Sequence, residues 1–99
     1  MCARHCEGLE TGPFVYDSAQ FQRELDESPH LAGEVRFITS IAELGMRAIE
    51  VGANRGVTAV ALARRVGTQG HVYAFEPVPE FYDIVKENLS RNGVDNVSV

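Results

Sequence analysis

A short apolar run that breaks into a glycine-punctuated turn, Ala48-Ile49-Glu50-Val51-Gly52-Ala53-Asn54-Arg55-Gly56, constrains this chain more than any other stretch. A second apolar run, Ala74-Phe75, ends in Glu76 and Pro77, and Glu76 lies 24 positions after Gly52. A strand, a tight turn, a helix and a second strand tipped with an acid form the half-site for an adenosine-containing cofactor. The details of the turn decide which cofactor.

The surrounding sequence supplies the elements this pattern needs. Val57, Val60, Ala61 and Leu62 begin a helix over residues 57–66 whose small residues permit close approach to a sheet. Arg64 and Arg65 complement the negative end of its dipole. Gly67 and Gly70 turn the chain into a strand over residues 71–75. Pro79 fits the first position of a helix over residues 79–92, with Phe81, Ile84, Val85 and Leu89 as its buried stripe. Asn96-Val97-Ser98-Val99 starts a further strand. Upstream, Asp17 and Gln20 make a capping box for a helix that Ser28-Pro29 ends. Val35, Ile38, Ile41 and Ala42 carry a second helix over residues 35–44, and Gly45 stops it before the strand at residues 47–51.

Two successive strand–helix–strand units require parallel strands joined by right-handed crossovers. The expected fold is therefore α/β, a Rossmann-like doubly wound parallel sheet with strands in the spatial order 3-2-1. The strand at residues 71–75 is apolar at nearly every position, as in strands covered on both faces, and Phe75 and Phe81 read as core. Yet two crossovers in the same direction put their helices on one face only. The chain thus reads as an N-terminal lead-in and helical segment over residues 1–45, followed at 46–99 by the first part of a larger cofactor-binding domain. An uncovered sheet edge and face would favour self-association.

Composition narrows the partners. Ninety-nine residues at 44% hydrophobic fit one small globular domain. A net charge of -5 and a pI near 5.1, with no basic stripe, argue against a nucleic-acid backbone as the main partner. The acids are scattered and read as a solvated surface. No apolar run approaches the roughly 20 residues of a membrane span, and the N-terminus lacks the apolar core of a secretory signal. A cytoplasmic protein is the expectation. Cys2, His5 and Cys6 lack paired-ligand spacing and a fourth ligand, so they read as two free thiols and a histidine, with no metal site.

A dinucleotide fingerprint wants Gly-x-Gly-x-x-Gly, but Asn54 and Val57 stand at its second and third glycine positions. The pattern acid-x-Gly-x-Gly-x-Gly of the S-adenosyl-L-methionine site fits better, matching at Glu50, Gly52 and Gly56. Gly52 allows a sharp turn and leaves room for a ligand against the main chain. Gly56 lets the helix begin close to the cofactor, with its N–H groups toward a carboxylate. Glu50 can attract an ammonium group, and Asn54 tolerates left-handed geometry. Ala53 lies within the same turn. Glu76 can accept hydrogen bonds from both ribose hydroxyls, with Pro77 and Val78 against the adenine.

From Ala48 onward the chain resembles the opening of the FkbM-type methyltransferase family, within the class I S-adenosyl-L-methionine-dependent enzymes. The residues that carry the resemblance are 50–56, 70–79, Glu87-Asn88-Leu89 and Asn92-Gly93. In that family asparagine at position 54 is usual, whereas Glu50 stands where aspartate is common and Arg55 where an apolar residue is common. The resemblance implies S-adenosyl-L-methionine as cofactor and O-methylation of a hydroxyl on a sugar or other small-molecule acceptor. It assigns no catalytic residue within residues 1–99, so the chain alone is expected to be inactive. The alternatives are a nicotinamide-dependent oxidoreductase fragment, disfavoured by Asn54 and Val57, and a non-catalytic half-domain.

Overall fold

The computed structural model describes residues 16–99; the expected lead-in and the readings on Cys2, His5 and Cys6 lie outside the described residues. Asp17 opens α1 (Ser18–Glu27) with the expected reciprocal box. Its carboxylate accepts the Gln20 N–H, and the Gln20 side chain accepts the Asp17 N–H, each at 2.8 Å. Ser28 ends that helix and at once caps α2 (Pro29–Ile41), its hydroxyl accepting the Leu31 N–H. This second helix starts well before the expected residue 35. Proline stops the helix before it, but its fixed φ and missing N–H suit the first position of the next one. The helix also ends at Ile41, short of the expected Leu44.

The remainder alternates as anticipated: β1 (Arg47–Val51), α3 (Val57–Val66), β2 (His71–Phe75), α4 (Pro79–Arg91) and β3 (Val97–Ser98). The three strands are parallel in the order β1-β2-β3, the neighbour order read from the sequence. Register runs from Arg47 opposite His71 to Val51 opposite Phe75, and Val72 lies opposite Val97. Gly70 makes the β1–β2 approach possible. A Cβ there would lie 2.6 Å from the Met46 carbonyl oxygen and 2.6 Å from the Val66 side chain.

Core packing crosses residue 45. Tyr16 and Phe21 share one apolar cluster with Val57, Val60, Ala74, Val85 and Leu89. A second cluster joins Ala42 to Leu62, Ala63, Val66 and Val72. Arg65 ties α3 to the end of α2, donating to the carbonyls of Thr39 (3.0 Å) and Ala42 (2.8 Å). The Arg64 guanidinium sits 5.2 Å from the centre of the Phe21 ring. These arginines, expected to serve the end of their own helix, therefore also hold its neighbours.

The period-two alternation of the strands sends Val72 and Ala74 into the core and their neighbours to the opposite face. There Ile49 is 73% and Val51 84% exposed, with Tyr73 and Phe75 beside them. Phe75 therefore does not belong to the core, as the apolar run had suggested; it stands in register with Val51 on the open face. Phe81, on α4, is half-buried. Among the described residues no element covers this face, and none pairs with the outer edge of β1. A cavity of about 420 Å³, lined by Ile38, Ile41, Met46, Ile49, Val51 and Leu62 among others, adjoins β1. No helix among the described residues is long and apolar enough to cross a membrane.

Candidate functional site

The turn after β1 is anchored at its start by backbone bonds. The N–H groups of Gly52 and Ala53 both donate to the Phe75 carbonyl, at 2.8 and 3.1 Å, which pins the turn to the tip of β2. Gly52 (φ 81°) and Asn54 (φ 54°) take left-handed conformations. Asparagine is among the few residues with a side chain that accept this geometry readily, so the missing glycine does not alter the turn. Gly56, also left-handed at φ 88°, is the N-cap of α3 and offers no side chain to cap it. A Cβ on Gly56 would come within 3.3 Å of the Val85 side chain. Its smallness therefore also serves the packing of α4 against the start of α3, a role beyond the cofactor approach expected of it.

Glu76 bridges this turn to the next helix. Its Oε1 accepts the Asn54 N–H at 2.7 Å, and its Oε2 accepts the Val78 N–H at 3.0 Å. Val78 caps α4 and, like Pro77, is exposed beside the turn. Ala53, expected among the cofactor contacts, has its side chain buried in the core cluster with Val57 and Val85.

Glu50 lies on the helix-covered side of β1, where Thr58 Oγ1 donates to its Oε1. Its Oε2 is buried without a hydrogen-bond partner. Burial pushes this carboxyl above the usual carboxylate range, the Thr58 bond works against that, and the Glu34 carboxylate adds to it. An unpartnered buried acid, with a second acid near it, is a site that fits a cationic group.

An open cavity of about 240 Å³ lies over the turn, lined by Leu31, Glu34, residues 52–55, Val57 and Thr58. The structure thus brings Gly52, Ala53 and Asn54 to one cavity. Gly56, Glu76, Pro77 and Val78 do not line it, although Glu76 is bonded to it through the Asn54 N–H. Glu50 lines the larger cavity beside β1 instead, and its link to this one is the Thr58 bond. The donor set fits the cofactor expected from the sequence: an acid for an ammonium, a glycine opening for the chain, and a carboxylate at the second strand tip for a ribose.

Leu31, Glu34 and Thr58 were not anticipated. Leu31 and Glu34 are one turn apart on α2, and placing that helix from Pro29 would have exposed the pair. Arg55, which stands where the resemblance has an apolar residue, lines the cavity. It also reaches back to α1, donating to the Tyr16 hydroxyl at 2.8 Å and pairing with Glu24 at 3.3 Å.

Comparison with known proteins decides the family. The family model for protein-L-isoaspartate(D-aspartate) O-methyltransferase matches residues 15–99. A protein-L-isoaspartate O-methyltransferase of Methanococcoides burtonii is 36% identical over 72 residues, covering 73% of this chain and 35% of that protein. The Pyrococcus horikoshii enzyme of the same name is 40% identical over 74 residues, covering 73% of this chain and 31% of that one. The chain thus spans about a third of the length of the curated relatives it matches. Among solved structures, a SAM-dependent O-methyltransferase from Thermotoga maritima superposes with a TM-score of 0.63 at 32% identity, covering 67% of this chain and 26% of that one. A structure named protein-L-isoaspartate O-methyltransferase gives 0.59, also at 32% identity, covering 70% and 22%. The fold is accordingly the Rossmann-like class I methyltransferase fold, here with three parallel strands.

The resemblance to the FkbM-type family is overturned by these matches. The acid–glycine turn and the acid at the second strand tip meet demands common to class I sites, so they do not separate one family from another. Residues 15–47, which lent that resemblance little, fall within the matched range. From residue 15 to the last strand, the chain belongs to the protein-L-isoaspartate(D-aspartate) O-methyltransferase family.

Proposed function

We propose that this chain carries the cofactor-binding part of an S-adenosyl-L-methionine-dependent methyltransferase whose acceptor is an isoaspartyl carboxylate in a protein. The observation that carries the reading is the buried, partnerless Oε2 of Glu50, whose other oxygen is bonded to Thr58 in the lining of the cavity over Gly52 and Asn54. Family membership and the names of the relatives support the acceptor, which replaces the sugar or small-molecule hydroxyl that the FkbM-type resemblance implied. Bound there, the cofactor supplies a methyl group activated on a sulfonium for transfer to an oxygen.

Each residue has a part in that binding. Glu50 takes the ammonium group of the cofactor's amino-acid end, whose positive charge offsets the cost of the buried carboxylate. Gly52 admits the ligand against the main chain. The first turn of α3, uncapped at Gly56, presents N–H groups toward the carboxylate of the same end. Glu76 keeps its Asn54 and Val78 bonds and uses its remaining lone pairs for the ribose hydroxyls. An isoaspartyl carboxyl, with a pKa near 4, is ionised at neutral pH, so the acceptor needs no general base. Alignment and exclusion of water then carry the rate.

Calorimetric titration with S-adenosylhomocysteine and with NADH tests the cofactor. Binding of the first alone is expected; binding of NADH in its place would return the nicotinamide reading. Methyl transfer to an isoaspartyl peptide, set against its aspartyl counterpart, tests the acceptor in the protein that carries this sequence. Equal transfer to both peptides would remove the isoaspartyl assignment.

A further inference from the structure

We infer that Asn88 is a positioning residue for the cofactor turn, holding it from behind through the Arg55 carbonyl; this deepens the proposed function and rests on the reading that the turn receives the cofactor. Asn88 is only 2% exposed, the one polar residue in the buried set of the described chain. Its Nδ2 donates to the Arg55 carbonyl oxygen at 2.7 Å, and its Oδ1 accepts the Tyr16 N–H at 2.7 Å. A single side chain on α4 thereby fixes both the glycine turn and the segment entering α1.

A buried amide is costly unless both its ends are bonded, so its presence here calls for a reason that leucine could not supply. That reason is geometric. The Arg55 peptide lies between left-handed Asn54 and left-handed Gly56, a run whose backbone direction no repetitive ladder maintains. The Nδ2 bond orients the Arg55 carbonyl, and with it the peptide plane that leads into Gly56 and the first turn of α3. The Arg55 side chain adds a second tether, through the Tyr16 hydroxyl and Glu24. Segment 16–24, the turn and α4 are in this way clamped at one peptide unit. Asn88 does not itself line the cavity; it reaches the lining only at the Arg55 carbonyl, so it acts on a ligand through the turn.

The test compares Asn88→Asp and Asn88→Ala with the parent chain by amide hydrogen exchange in the absence of cofactor. Asn88→Asp keeps the acceptor for the Tyr16 N–H and loses the donor to Arg55, which separates the two bonds. Asn88→Ala loses both without adding charge, and serves if the aspartate variant fails to fold. The amides of Asn54 and Gly56, bonded to Glu76 and to the Ala53 carbonyl, are expected to exchange at least about tenfold faster in either variant. The Val72 amide in the sheet is expected to hold its parent rate. Turn amides that keep the parent rate, or that accelerate only in step with Val72, would show a residue of general stability and overturn the inference. A second arm titrates the folded variants with S-adenosylhomocysteine, where a tenfold or greater loss of affinity supports positioning and an unchanged affinity opposes it. A parent chain that binds no S-adenosylhomocysteine would defeat the proposed function, whereas the exchange arm would still decide the role of Asn88.

Discussion

The Glu76 carboxylate accepts the backbone N–H of Asn54 at 2.7 Å, joining the tip of β2 to the turn after β1. Its other oxygen holds the N–H of Val78 at 3.0 Å. The acid therefore shapes the turn, and under the proposed function its remaining lone pairs also take the ribose hydroxyls. Glu76→Ala removes both. Hydrogen bonds to a charged group contribute about 1.5–3 kcal/mol each, so affinity for S-adenosylhomocysteine is expected to fall at least roughly tenfold. Calorimetry decides; an unchanged Kd would reject the assignment of Glu76 to the ribose.

Two glycines separate ligand space from folding space. At Gly52 a Cβ would meet nothing within 4 Å, although φ of 81° disfavours a side chain there. Gly52→Ala is expected to cost about 1–2 kcal/mol of stability from that geometry, and to weaken cofactor binding because its methyl enters the cavity. At Gly70 a Cβ would lie 2.6 Å from the Met46 carbonyl and the Val66 side chain, so Gly70→Ala must move backbone. Its stability loss should reach about 1–3 kcal/mol or more, with cofactor affinity of the folded fraction unchanged. Urea melts and titrations on both variants check the pair, and the reverse ordering of affinities would remove Gly52 from the binding surface.

Glu50 carries a pH signature. Burial raises its carboxyl pKa in the folded chain, assisted by Glu34 and opposed by Thr58. The unfolded chain therefore loses this proton first as pH rises. Between the unfolded and the folded pKa the native state binds more protons, so stability falls with rising pH and the full penalty stands above the folded value. Glu50→Gln removes the ionisation while leaving an acceptor for Thr58. Its melting temperature should exceed that of the parent at neutral pH, by about 4–8 °C for each kcal/mol recovered. The gap should close once pH drops below the ordinary carboxylate range. The same variant should bind S-adenosylhomocysteine more weakly, since the ammonium loses its counter-charge. A melting difference that stays constant with pH would show that Glu50 is not the titrating group.

Much of this arrangement is legible in the sequence because local rules and tertiary demands agree. The run Ile49-Glu50-Val51-Gly52 can only be a strand entering a turn, and the Asp17–Gln20 box is complete within four residues. Other parts are not local. Pro29 reads as a stop, and whether it also begins a helix depends on Ser28 and on what α2 packs against. Phe75 looks like core because an apolar run does not reveal which of its faces is covered. Asn88 appears as one polar residue in an amphipathic helix. Its partners, Tyr16 and the Arg55 carbonyl, lie 72 and 33 positions away, and no periodicity connects them. The family itself escaped because the turn records the cofactor's requirements and not the acceptor's.

The open face of the sheet yields the last prediction. Ile49, Val51, Tyr73 and Phe75 form one exposed apolar surface, and the outer edge of β1 beside it has no strand partner among the described residues. An edge with free N–H and C=O groups next to exposed branched side chains is a template for further pairing. The 99-residue chain is therefore expected to self-associate as its concentration rises. Val51, at 84% exposure, makes the sharpest probe because a lysine there adds charge to the face without displacing a buried atom. Val51→Lys should shift the population toward monomer in sedimentation velocity, with little change in melting temperature in dilute solution. If the parent chain stays monomeric at high concentration and melts in one cooperative step, the face is not an association surface. If both chains associate equally, the contact lies elsewhere than on this edge of β1.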